Sequence, residues 1–122
     1  MAYENSLTSI TLTAGANLAS SQYFWVKLNT SGQVVVAGDG DYAIGILQNS
    51  PASGEAATVA VAGVSKLKVG TVAVVAGDEA ASDSAGKAAT AATGDIINGA
   101  ILESGSAADI VSVLINQRGA AS

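Results

Sequence analysis

The sequence predicts an all-β domain, a small β-sandwich or barrel built from two similar repeats, with an extended N-terminal arm. Three observations carry this. Residues 29–61 and 83–115 align without a gap at an offset of 54. Short β-branched segments are broken by a turn every ~8–12 residues, the spacing of sandwiches and small barrels. No segment keeps the apolar period of an amphipathic helix, and only Glu79 to Ser84 is compatible with a helical turn or two.

Within the repeat Gly32 falls on Gly86, Gly40-Asp41 on Gly94-Asp95, Gly45 on Gly99 and Val59 on Val113. Glu55 meets Asp109, and Thr58 meets Ser112. Turn residues and apolar filler recur together, so one β-rich unit occurs twice and packs against itself. Two copies are too few for an open solenoid.

The elements follow in order. Residues 1–5 read as a polar arm, and Ser6 to Thr13 alternates as a strand with one face partly covered. Residues 1–12 thus form an arm and first strand ahead of a single β domain, residues 13–122. Ala14 to Ser21 is a small-residue connector. Gln22 to Leu28 reads as a strand and holds the aromatic cluster Tyr23, Phe24 and Trp25. Asn29 to Gly32 is a turn, and Gln33 to Ala37 returns as a strand. Gly38-Asp39-Gly40-Asp41 turns again into a strand from Tyr42 to Leu47, and Asn49 to Glu55 is a loop holding Pro51.

Ala56 to Ala62 alternates, and Val64 to Val69 puts Lys66 and Lys68 on one face with Leu67 and Val69 on the other. Thr71 to Ala76 reads as a further strand, closed by a turn at Gly77-Asp78. The second copy then replays the first: a turn at Asp83 to Gly86, a strand from Lys87 to Ala91 and a turn at Thr93 to Asp95. Strands from Ile96 to Leu102 and from Ile110 to Asn116 follow, with a polar tail from Gln117. Gly45 and Gly99 each interrupt an apolar strand, which marks a bulge or the close approach of a neighbouring backbone.

Composition narrows the function. The chain has 122 residues, enough for one domain, and half of it is apolar, but much of that is alanine. The apolar area buried per residue is therefore small, and assembly with other chains is expected to add stability. The net charge is −5, and Lys27, Lys66, Lys68, Lys87 and Arg118 are the only cations. Such a surface does not hold a phosphate backbone or an anionic membrane, so neither is an expected partner. The start of the chain lacks the basic and apolar regions of a signal peptide, and no run approaches the ~20 apolar residues of a membrane span.

Chemistry is sparse. With no histidine and no cysteine, the imidazole and thiolate nucleophile systems and the common zinc and iron sites are excluded. Gly38 to Ala43 fits a loose dinucleotide pattern, yet no helix opens after it and its two carboxylates would repel pyrophosphate. Ser84 and Lys87 fit a serine–lysine spacing that requires a helix, whereas a glycine lies between them in a turn. The clustered acids Asp39 with Asp41, and Asp78 with Glu79, lack the spacing of a calcium loop and read as solvated turn carboxylates. No cofactor or metal is expected. Tyr23 and Trp25 share one face of their strand and Phe24 the other; one face is core, and an exposed Tyr23 and Trp25 would anchor an interface.

The run Gly77 to Ala88, then Thr93 to Glu103 and Asp109 to Ile115, resembles the capsid cement (decoration) proteins of tailed bacteriophages and prophages. Ala43 to Asn49 and Gly54 to Gly63 look like the same family's first half, so the resemblance spans roughly residues 28–116. It departs at Asn98, where an apolar residue is expected before the glycine, and at Ala107-Ala108, which stand in place of a glycine before Asp109. The resemblance implies a non-enzymatic protein made in the bacterial host cytoplasm and carried on the outer surface of the virion head. Its implied partners are the major capsid protein, at junctions between subunits, and further copies of itself, a trimer above all. An arm such as Ala2 to Leu12 is suited to adding a strand to a neighbour's sheet. The candidate capsid or subunit interface is accordingly Tyr3, Leu7, Ile10, Leu12, Tyr23 and Trp25.

Two other readings compete. A head-fibre or adhesin-like domain binding carbohydrate would use Tyr3, Tyr23, Trp25 and Tyr42 as sugar platforms. An enzyme working with carboxylates alone would use the repeat-related pair Asp41 and Asp95.

Overall fold

The computed structural model describes residues 5–122. The fold is all-β, with no helix among those residues, and nine strands form one antiparallel sheet curled into a half-barrel. In chain order they are β1 (Asn5–Thr13), β2 (Trp25–Leu28), β3 (Val34–Val36), β4 (Gly45–Leu47) and β5 (Ala56–Lys68). There follow β6 (Glu79–Ser82), β7 (Ala88–Thr90), β8 (Ile96–Ile101) and β9 (Ile110–Ala120). Across the sheet the order is β3-β2-β4-β5-β9-β8-β6-β7, two matched halves meeting at β5 and β9, with β1 added beside β5.

The repeat is one of hydrogen bonding as well as of sequence. Val26 pairs with Val36 and Ala80 with Thr90; Trp25 pairs with Ile46 and Glu79 with Ala100; Ile46 pairs with Ala60 and Ala100 with Leu114. Each partner moves by the same 54 residues, so the equivalence begins with β2 and β6, upstream of residues 29 and 83. The turns repeat in the same detail. Asn29 Oδ1 accepts the backbone N–H groups of Ser31 and Gln33 at 3.0 and 2.9 Å, and Asp83 Oδ1 accepts those of Ala85 and Lys87 at 2.9 Å. Such side chains close a turn by replacing a backbone acceptor.

The equivalence explains where local reading and structure differ. Glu79 to Ser82 is a strand, because it is the second copy of β2 and its backbone groups pair with β7 and β8. Thr71 to Ala76 is not one: Val74 alone is buried and bridged, to Gly105, while Val72 and Val75 are 72% and 58% exposed. The two segments read from Ala56 to Val69 fuse into β5 through Gly63, which turns the chain with φ 97°. β9 runs on through the polar tail because Gly119 and Ala120 pair with Ile97 and Ile96. β2 starts only at Trp25, and β4 only at Gly45.

The N-terminal segment joins the same sheet. From Ser9 opposite Ala60 to Thr13 opposite Ala56, β1 pairs with this chain's own β5. One edge of β1 is thereby paired within the chain's own sheet.

Alternate residues of the same strands enter two cores. Trp25, Ile46 and Ala60 join Leu67, Val111, Val113 and Ile115 in a cluster shared by both copies. Val26, Leu47 and Val59 point the other way, into a second cluster with Leu18 and the half-buried Leu12. With both faces covered, these strands read as continuous apolar runs instead of alternating ones. Thin strands allow close approach: a Cβ on Gly45 would overlap the carbonyl oxygen of Ala60, and one on Gly99 that of Leu114. This is the close backbone contact that the interrupted strands imply.

Ala108 is strained by comparison with its repeat equivalent. Gly54 has φ 85°, and its equivalent Ala108 is forced to φ 67°. Replacing Ala108 by glycine is expected to stabilise the fold by about 1 kcal/mol, the cost of a left-handed alanine. Gly45→Ala is expected to cost about 3 kcal/mol by overpacking against backbone. Urea midpoints of the two variants measure both.

Candidate functional site

The acidic groups of the two copies are employed in turns. Asp41 Oδ2 accepts the backbone N–H of Gly38 at 2.9 Å and the Nζ of Lys27 at 2.6 Å. The Lys27 ammonium, then the Gly38 N–H, hold the Asp41 carboxyl below the ordinary carboxylate range. Its equivalent Asp95 accepts the N–H of Ala92 at 3.0 Å. Glu55 closes on Ala52 and Asp109 on Ser106 in the same way. The Asp41 and Asp95 carboxylates are therefore each committed to their own turn. The Gly38 to Ala43 loop leads into β4, and Ser84 is an exposed residue of the β6–β7 turn. Among the described residues no group of three or more Asp or Glu side chains could hold a metal ion.

The Gly38 to Ile44 loop is clamped by the second copy. Gly40 N–H donates to Ser82 O at 2.9 Å, and Ile96 N–H donates to Gly40 O at 3.0 Å. Asn98, wholly buried, accepts from Ala43 N–H and donates to Asp41 O, both at 3.1 Å. Gln117 Nε2 adds a bond to Ala43 O at 3.0 Å. The first copy has Ile44 where the second has Asn98, so this departure from the apolar pattern is the polar link between the copies. The ladder shifts register between Ile97 and Gly99, where Asn98 turns aside to make it.

The candidate interface residues are not brought together. Tyr3 lies outside the described residues. Leu7 and Leu12 are half-buried, one packed on each core cluster, whereas Ile10 between them is 41% exposed. Trp25 is wholly buried and is the largest buried side chain of the core, which answers to its core reading and leaves it no outer face. Tyr23 precedes β2, in a left-handed backbone conformation, so it does not share a strand face with Trp25. Of the aromatic sugar platforms, Tyr42 is exposed and Tyr23 half-buried.

The structure exposes apolar residues that sequence patterning did not single out: Leu28, Val72, Val75, Leu102, Ile110 and Leu114. The segments that carry Val75 and Leu102 are tied together, Ala76 N–H donating to Ser104 Oγ and Gly77 N–H to Ile101 O. In β9 Leu114 falls in the alternating set that also holds Ser112 and Asn116, opposite the apolar set Val111, Val113 and Ile115, so strand period alone sets exposed Leu114 apart from buried Val113.

Asn98→Leu is expected to cost about 2 kcal/mol or more, because it strands the Ala43 N–H and Asp41 C=O away from water. Asp41→Asn tests the turn electrostatically. The folded pKa is depressed, so the stabilisation is complete above the ordinary carboxylate pKa and fades as pH falls through the lower folded value. With both partners over a third exposed, the deficit of the variant at pH 7 is expected to be at most about 1 kcal/mol. It should shrink as pH falls below the ordinary carboxylate range, as followed by urea unfolding across pH.

With this geometry in hand, known proteins can be compared. No curated protein matches the chain in sequence. Among solved structures it resembles the head fibre gp8.5 N base of bacteriophage phi29, with a TM-score of 0.69 and 14% identity. The likeness covers 96% of this chain and 99% of that one, and it establishes the shared fold. The family described as phage cement protein matches residues 5–117. That match takes in every strand except the last residues of β9, and the chain belongs to the phage cement protein family.

Proposed function

We propose that this chain sits on the outer surface of a phage head, binds as a trimer at junctions between major capsid subunits, and reinforces the shell. The observation that carries the reading is the family match along residues 5–117. The chemistry agrees with a structural role. Imidazole and thiol are missing from the composition, and the repeat-related carboxylates are spent on turns. An acidic surface studded with exposed Leu28, Val72, Val75, Leu102 and Leu114 favours protein partners over nucleic acid. Contacts of that kind are shallow one by one and become strong when many copies engage one lattice. The protein would be made in the host cytoplasm and end on the virion.

A second reading is favoured by the likeness to a head fibre base: a module seated on the head that presents Tyr42 and Tyr23 to a glycan. Adding the purified chain to heads that lack it distinguishes the two. The cement reading expects saturable co-sedimentation, added density at capsid-subunit junctions, and heads that retain DNA at higher temperature. Failure to bind heads refutes it. Glycan-array binding without any gain in head stability supports the fibre reading.

A further inference from the structure

A groove of about 410 Å³ opens between the connector before β2 and the β6–β7 turn, lined by Gln22, Tyr23, Phe24, Lys68, Lys87 and Ile110. Its position is set by backbone bonds. Trp25 N–H donates to Gly86 O at 2.6 Å, pinning the turn that carries Lys87, and Lys68 N–H donates to Tyr23 O at 2.9 Å. Lys66 and Lys68 stand two residues apart on β5 and so share a face. Lys66 Nζ lies 5.6 Å from the centre of the Tyr23 ring, and Lys87 Nζ lies 5.4 Å from that of Phe24.

The charge here runs against that of the whole chain. Of five cations, Lys27 is bonded to Asp41 and Arg118 to Glu79, each at 2.6 Å. The other three gather around the groove, and among the described residues none forms an ion pair. This positive cluster stands on a protein of net charge −5, and the Asp83 carboxylate on the same turn is engaged with backbone, accepting the N–H groups of Ala85 and Lys87.

The groove is also where the two copies part. Positions equivalent to Tyr23, Phe24, Lys66, Lys68 and Lys87 hold Gly77, Asp78, Ala120, Ser122 and Gln33. The equivalent surface on the other side of the molecule, which takes Gln33 from the first copy and the rest from the second, thus has neither aromatic nor cation. Tyr23 moreover has φ 67° where Gly77 has 93°, a conformation that opposes folding for any residue with a Cβ. Strain kept at an accessible aromatic is a reason to look for a role outside folding.

We propose that this groove receives an acidic peptide segment of the shell protein, its carboxylates held by Lys68 and Lys87 and its stems laid on Tyr23 and Phe24. The inference rests on the head-docking reading above. Ammonium groups over ring faces are pre-positioned for carboxylates. The acidic remainder of the surface repels such a segment everywhere else and steers it to this place. A nucleic-acid backbone would need a basic track, and three lysines on an acidic chain do not supply one.

The test is titration of the full chain with hexaglutamate, followed by NMR at two salt concentrations. The expected result is saturable, salt-weakened shifts confined to residues 19–24, 66–68 and 83–87. K68Q/K87Q should lose about tenfold in affinity or more, whereas S31E/S50E, which alters net charge equally on exposed turns, should retain it. Tyr23→Gly should keep or gain thermal stability and still bind the peptide more weakly. Absent or unsaturable shifts, equal affinity in K68Q/K87Q, or binding of a sulfated glycan in preference to hexaglutamate overturns the proposal. Head binding separates it from the reading beneath it. If the unaltered chain binds heads and K68Q/K87Q binds as tightly, the groove is refuted while the cement reading stands. If the unaltered chain does not bind heads, the cement reading and this assignment to the shell fall together, even when hexaglutamate binds.

Discussion

The ladder between β5 and β9 is the interaction on which the rest of this fold depends. From Gly63 opposite Ile115 to Lys68 opposite Ile110 it joins the two copies into one sheet. Without it each copy would be a small sheet with a long open edge and half a core, an arrangement of marginal stability. With it, Leu67 of one copy and Val111 and Val113 of the other enter the same apolar cluster as Trp25. The close backbone contacts at Gly45 and Gly99 sit on the outer sides of these same two strands, and β1 lies along β5 as well.

Joining two copies this way creates a polar problem, and the molecule answers it asymmetrically. The Gly38 to Ile44 loop of the first copy is pressed against the second, where its backbone groups lose water. Asn98, Gln117 and the Gly40 bonds to Ser82 and Ile96 satisfy them. Such pairing is what buried backbone requires. The second copy's corresponding loop closes instead toward the C-terminus, where Gly94 N–H bonds Ala121 O. A duplicated unit thus acquires one buried seam and one free end, which is the origin of its distinct surfaces.

The duplication also separates what folding demands from what it does not. Shared between the copies are the turn-closing acids, the two strand glycines and the pairing registers, all of which serve the sheet. The aromatic pair Tyr23 and Phe24 and the lysines around it belong to one side only. These one-sided features distinguish the two sides of a nearly symmetric module.

Much of the fold is legible along the chain because turn chemistry and strand period are local properties. The 54-residue offset, the Asn29 and Asp83 turns, the acid at each Gly-Asp step and the need for Gly45 and Gly99 are all written in neighbouring residues. Burial is not local when both faces of a strand are covered. That is why the strand sense of Glu79 to Ser82, the loss of a strand at Thr71 to Ala76 and the burial of Trp25 emerge only from packing. The sequence alone therefore determined a twice-used β unit without histidine or cysteine. Tertiary structure alone decided which side chains meet water and that Lys87 joins the distant Lys66 and Lys68 at one groove, because both follow from contacts between segments far apart in the chain.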